Sequence, residues 1–149
     1  MNPYDQLKRH LDATEDPTLL ILRGHLLVEE RLRNIVDRIC QSPDELPSAR
    51  LSFYQVLCLC RAIVGRHDDP AWGFVTRLNE VRNRMAHRLD PGDLDALVGS
   101  VVERLGAPYA GRCDTALDKF REATYYACGY FDAISGGVRL RPAYDPAEQ

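Results

Sequence analysis

The sequence predicts an all-α fold, a bundle of about five helices in one domain. Three observations carry that prediction. Apolar residues recur at spacings of three and four along most of the chain, the period of a helix with one buried face. Asp-Pro pairs stand ahead of apolar runs at Asp16-Pro17, Asp69-Pro70 and Asp90-Pro91, an aspartate cap followed by a proline at the first helical position. No stretch of useful length ahead of the C-terminal tail alternates apolar and polar residues as a strand would.

Taken in order, residues 1–15 carry Tyr4, Leu7 and Leu11 at helical spacing, which predicts a short amphipathic helix packed on the body. Asp16-Pro17 opens a long helix to about Cys40. Ile21, His25, Val28, Leu32, Ile35 and Ile39 form its stripe, and Leu19, Leu20, Leu26 and Leu27 widen the apolar side, so this helix is expected at the centre. Residues 41–51, with Ser-Pro-Asp and Pro47, read as a loop, because proline interrupts helices. Ser52 caps a helix that carries Phe53, Val56, Leu57, Cys60 and Val64 and stops at Gly65. A third long helix follows Asp69-Pro70 through Trp72, Val75, Leu78, Val81 and Met85 to about His87.

Asp90-Pro91 is read as the start of a fourth helix, with Leu94, Leu97, Val98, Val101, Val102 and Leu105, closed by Gly106. After a loop over 106–113 a fifth runs from about Asp114 to Ile134, with Leu117, Phe120, Cys128 and Phe131 inward, and Gly136-Gly137 ends it. The core is expected over 17–135. Residues 136–149, with Pro142 and Pro146, read as a flexible tail.

The 149 residues suit one domain with a core of its own. With 45% hydrophobic and 28% charged residues the chain is neither disordered nor fibrous. A net charge of −3 argues against a general nucleic-acid coat protein, but leaves room for a local basic site. Five cysteines, Cys40, Cys58, Cys60, Cys113 and Cys128, are an odd number scattered over helices. They fit small buried hydrophobes in a reducing cytoplasm better than a disulfide framework or a zinc site. The N-terminal residues lack the apolar core of a secretory signal, and no run of apolar residues is long enough to span a membrane.

The densest cluster of chemistry is Arg77-Leu-Asn-Glu-Val-Arg-Asn-Arg-Met-Ala-His-Arg88. Arg77, Arg82, Arg84 and Arg88 face a single acid, Glu80, a local excess of three positive charges in an acidic chain. A histidine near a helix C-terminus is suited to hold and release a proton. An arginine supplies a permanent charge and a planar fork that matches phosphate. RNA cleavage without a metal needs both roles: proton transfer at the 2′-hydroxyl or the leaving oxygen, and stabilisation of charge building on phosphorus. Five residues turn through about 500°, so Arg82 and His87 stand about 140° apart on a regular helix. Asn83 and His87, four apart, share a face. Either the helix unwinds at Ala86-His87, or the two groups work in a site shared between two chains. On spacing alone, the arginines read first as the ordinary solvated face of an amphipathic helix.

The order Arg82-Asn83-x-x-Ala86-His87 at the end of an apolar-periodic helix resembles the signature of the HEPN superfamily, small helical domains that include metal-independent endoribonucleases and toxins. The likeness covers roughly residues 17–135. It implies a homodimer in which Arg82, Asn83 and His87 of both subunits line a cleft and cleave RNA without a cofactor, with Arg77, Arg84 and Arg88 as substrate-binding cations. It also implies a polar residue on the neighbouring long helix, which would make Glu30 the group that orients Arg82, and an antitoxin protein as a silencing partner. Two other readings stand beside it: a non-catalytic dimeric interaction or regulatory module of the mannitol-repressor type, and a helical bundle that binds a nucleotide without turning it over.

The remaining candidates read first as structural. His25 on the buried stripe is a satisfied core group, or else it faces the motif helix together with Glu29 and Glu30. His67-Asp68-Asp69 is a capping loop rather than a metal site. Tyr125, Tyr126 and Tyr130 are core or a dimer face rather than a platform for stacked bases.

Overall fold

The fold is all-helical, as a computed structural model that describes residues 2–65, 68–106 and 113–137. Among the described residues seven α-helices lie in the order α1 (Pro3–Asp12), α2 (Pro17–Ile39), α3 (Leu46–Ala49), α4 (Phe53–Val64), α5 (Pro70–His87), α6 (Leu94–Val102) and α7 (Ala116–Gly137). No strand occurs among the described residues. The number exceeds the expected five for two reasons. The short N-terminal helix is a full element, and residues 41–51 are not plain loop. Pro43–Glu45 form a 3₁₀ turn and Leu46–Ala49 a single α-turn. Pro43 and Pro47 sit in the first turns of these pieces, where no backbone N–H is needed.

Caps set most of the boundaries. The Asp16 carboxylate accepts from the Thr18 and Leu19 amides, and the Asp69 carboxylate from Ala71. Ser52 and Gln55 form a reciprocal capping box at α4. Gly65, at φ 66°, closes that helix in the left-handed conformation that glycine adopts without strain. The third Asp-Pro pair does not start a helix. Asp90 instead accepts from the Gly92 amide in a turn with Gly92 at φ 94°, and Asp93 caps α6 at the amides of Asp95 and Ala96. The last turn before Gly106 tightens into a 3₁₀ helix, Glu103–Leu105. The expected tail lies largely outside the described residues, and its first two positions, Gly136 and Gly137, complete α7.

The 23-residue α2 is central. It packs against α7, α4, α5, α1 and α6. Leu20, Ile21, Val28, Leu32 and Ile35 are fully buried on it. Across from them lie Trp72, Phe74 and Leu78 of α5 and Phe120 and Phe131 of α7; burying each such side chain contributes about 1.5–3 kcal/mol. Gly24 lets α2 and α7 approach closely, because a Cβ there would lie 2.8 Å from Phe120 Cζ. The widened apolar side expected of this helix is only partly covered. Leu20 is buried, but Leu19, Leu22 and Leu26 are exposed, Leu26 at 63%. The cysteines are all free, with Cys60 and Cys128 buried and Cys58 exposed, on the face of α4 turned away from the core. No helix among the described residues is long and apolar enough to cross a membrane.

Candidate functional site

One inward stripe of α5, which meets α7 at Trp72 and α2 at Asn79, changes character along its length. It begins with Trp72 and Val75, both buried, and continues one turn at a time as Asn79, then Arg82 and Asn83. The dry N-terminal half anchors the helix, and the polar C-terminal half presents a partly buried cluster to α2.

His25 sits under that cluster. Its ring is 5% exposed and stacks on Phe53 of α4, with ring centres 4.2 Å apart. Its Nε2 lies 3.2 Å from Asn79 Oδ1, so Nε2 carries the proton and donates it. Nδ1 is then unprotonated and lies 3.8 Å from the Glu29 carboxylate, one turn along α2. Glu29 in turn accepts from Arg33 Nε and Nη2 at 3.0 and 2.6 Å, and Arg33 Nη2 also donates to the Leu51 carbonyl. Burial lowers the proton affinity of His25 below the ordinary value. The Asn79 hydrogen bond and the Glu29 charge oppose the shift, and the Arg82 charge adds to it. His25 is therefore a neutral, oriented imidazole at neutral pH.

Arg82 is half-buried, and its one hydrogen bond among the described residues is from Nη1 to Asn83 Oδ1, at 3.3 Å. A guanidinium has five N–H donors, and no carboxylate pairs with this one among the described residues. The geometry leaves a planar cationic fork, steadied by an amide, with donors that an anion could accept from.

α5 stays helical through His87, so the helix does not unwind at Ala86-His87. Arg82 and His87 stand about 140° apart around the axis and do not converge within one chain. His87 is exposed in the last turn and makes no side-chain hydrogen bond among the described residues. The other arginines of the stretch do not join Arg82. Arg77 is held on the opposite side, donating to Ser100 of α6 at 3.1 Å and to Glu80 at 2.8 Å. Arg84 lies near Gly92, and Arg88 is the exposed C-cap. They form a second basic strip seven and eleven residues on from Arg77. Glu30 is exposed and ion-paired with Arg31 at 3.0 Å, so the α2 acid at the cluster is Glu29 rather than Glu30.

The tyrosines of α7 are helix clamps. Tyr125 donates to Asp12, Tyr126 donates to the capping Asp69, and Tyr130 accepts from Trp72 Nε1. Asp69 is thus a cap and an acceptor. His67 lies outside the described residues, and no cluster of three metal-ligating side chains occurs among those described. Two surface hollows, of about 500 and 620 Å³, lie along the C-terminal half of α2, near Asp132 and near Pro47, away from Arg82. The His25–Asn79 contact and the Glu29–Arg33 pair had no signal in the sequence beyond His25 on a buried stripe. The first joins residues 54 positions apart, a pairing only helix packing decides, whereas Glu29 and Arg33 stand four apart on one helix.

Fold and site together define a small helical domain with a half-buried Arg-Asn-His cluster where two of its helices meet. No family model, curated protein or solved structure matches the chain.

Proposed function

We propose that this chain is a metal-independent endoribonuclease of the HEPN type, working as a homodimer in a toxin or phage-defence setting. The observation that carries the reading is Arg82, a half-buried guanidinium with most donors unfilled, steadied by Asn83 at the end of the motif helix. In the proposed reaction the 2′-oxygen attacks the adjacent phosphorus, and the bond to the 5′-oxygen breaks. The products are a 2′,3′-cyclic phosphate and a 5′-hydroxyl. His87 transfers the proton, and Arg82 and Asn83 hold the phosphoryl oxygens as charge builds on them. Arg77, Arg84 and Arg88 guide the flanking phosphates, and an antitoxin protein would silence the cleft.

A regular helix keeps Arg82 and His87 of one chain apart, so the reading assigns each catalytic pair to two chains, Arg82 of one and His87 of the other. Leu19, Leu22 and Leu26, an exposed apolar strip beside His25, support self-association. The test is a mixing experiment. Arg82→Ala and His87→Ala each reduce cleavage by about a hundredfold or more, while the fold survives. Dimers re-formed from an equal mixture regain roughly a quarter of wild-type activity, because half the dimers hold one intact cross-chain site. Undiminished cleavage by both single variants sinks the nuclease reading; a silent mixture sinks the shared site. The same strip of leucines also favours a second reading, a non-catalytic dimeric interaction module, which a folded dimer without effect on RNA would support.

A further inference from the structure

We propose that His25 is a positioning residue beside the Arg82 guanidinium and takes up a proton when a phosphodiester binds to that cation. The inference rests on Arg82 being a phosphate site and goes beyond it by linking occupancy to a second histidine, on a different helix from the motif.

The argument starts from what surrounds the ring. On its own helix the charged neighbour is Glu29, 3.8 Å from Nδ1. From α5 come Asn79, bonded to Nε2, and, one turn further along the same face, the cation Arg82. From α4 comes Phe53, which closes the aromatic side and offers no charge. Burial and the Arg82 charge oppose protonation, and the Asn79 bond and Glu29, shared with Arg33, oppose them incompletely. A phosphate on the Arg82 fork cancels the one repelling charge that α5 presents and adds an anion of its own. The Asn79 bond already fixes which nitrogen is vacant, so the proton goes to Nδ1, on the side of Glu29. The resulting imidazolium is held between Asn79 and Glu29 and adds positive charge behind Arg82.

Linkage makes the effect reciprocal: if phosphate promotes protonation, protonation promotes phosphate binding. Affinity therefore rises as pH falls through the His25 transition, by at most about tenfold per pH unit for one proton. His25→Gln keeps a donor for Asn79 and cannot titrate, so its affinity loses that dependence.

The experiment follows the His25 ring C–H signals by NMR across pH, assigned by their absence from His25→Gln. The samples are the intact chain with and without a 2′-O-methyl oligoribonucleotide, which keeps the phosphodiesters but cannot cyclise. Arg82→Ala without the probe is expected to move the midpoint up, and Glu29→Gln to move it down. Adding the probe to wild type is expected to move it up, and calorimetry in two buffers of different ionisation heat is expected to show proton uptake absent from His25→Gln. If the probe binds and the His25 midpoint stays where it was, the linkage is overturned while the phosphate reading stands. If the probe does not bind at all, the phosphate reading fails and the linkage with it.

Discussion

Two arginines of this domain occupy opposite situations. Arg121 on α7 is 6% exposed, and all three of its guanidinium nitrogens are engaged. Nε donates to the Leu11 carbonyl, Nη1 to Asp118, and Nη2 to the Thr14 carbonyl and to Glu15. Arg82 on α5 is half-buried and donates once, to a neighbouring amide. A cation withdrawn from water is stable only where its donors are met. Arg121 meets that condition within the chain and ties the α1–α2 connection to α7. The remaining donors of Arg82 are not withdrawn in that way: they reach solvent. Burial alone thus does not separate the two arginines; the fraction of donors filled by the described residues does.

The sharpest way to break this contrast is Arg121→Ala. It leaves the Leu11 and Thr14 carbonyls without their partner and empties a buried site, so unfolding free energy should fall by about 3–5 kcal/mol. Urea or thermal denaturation checks it. Arg121→Lys should recover only part of the loss, because an ammonium cannot reproduce the fork.

Next in size is Gly24→Ala, on the α2–α7 seam, where the new methyl meets Phe120 at 2.8 Å. The expected loss is about 1–3 kcal/mol. An unchanged melting temperature would show that the seam yields more readily than its packing implies.

Arg82→Ala should cost less than about 1 kcal/mol of stability yet abolish oligoribonucleotide binding. If it destabilises the fold as much as Arg121→Ala, the two arginines are of one kind and the contrast is wrong.

The smallest effect concerns pH. The unfolded chain protonates His25 near its ordinary value of 6.5, whereas the native state resists protonation. Stability should therefore decline as pH falls below that value. His25→Gln should lose less stability than wild type between pH 7 and 5, read from melting temperatures in matched buffers.

Much of the fold was legible because it is written locally. The Ser52 cap, the Gly65 stop and the Asp69-Pro70 start each act within four residues, and each fell where read. The third Asp-Pro pair misled because the same aspartate chemistry caps a turn or a helix, and Asp93 stood three residues on to take the helix. The short helix at Leu46–Ala49 was hidden because Pro47 reads as a stop and can equally serve a first turn. In the candidate site, the resemblance carried by Arg82-Asn83-x-x-Ala86-His87 singled out Arg82, Asn83 and His87. Spacing alone did not distinguish Arg82 from Arg77, Arg84 and Arg88, nor Glu29 from Glu30. Those choices depend on which side of α2 and α5 meets a neighbour.

The sequence by itself determined that the chain is helical, where α2, α4 and α5 begin and end, and that cationic residues gather at the end of α5. Those properties follow from capping, from the 3.6-residue period and from composition, all of which act over a few residues. Only the tertiary structure decided that His25 meets Asn79, that the described residues fill the donors of Arg121 but not those of Arg82, and that they leave Leu26 mostly exposed. Each of these depends on helices distant in sequence packing at one rotation about their axes and not another, which the whole core selects.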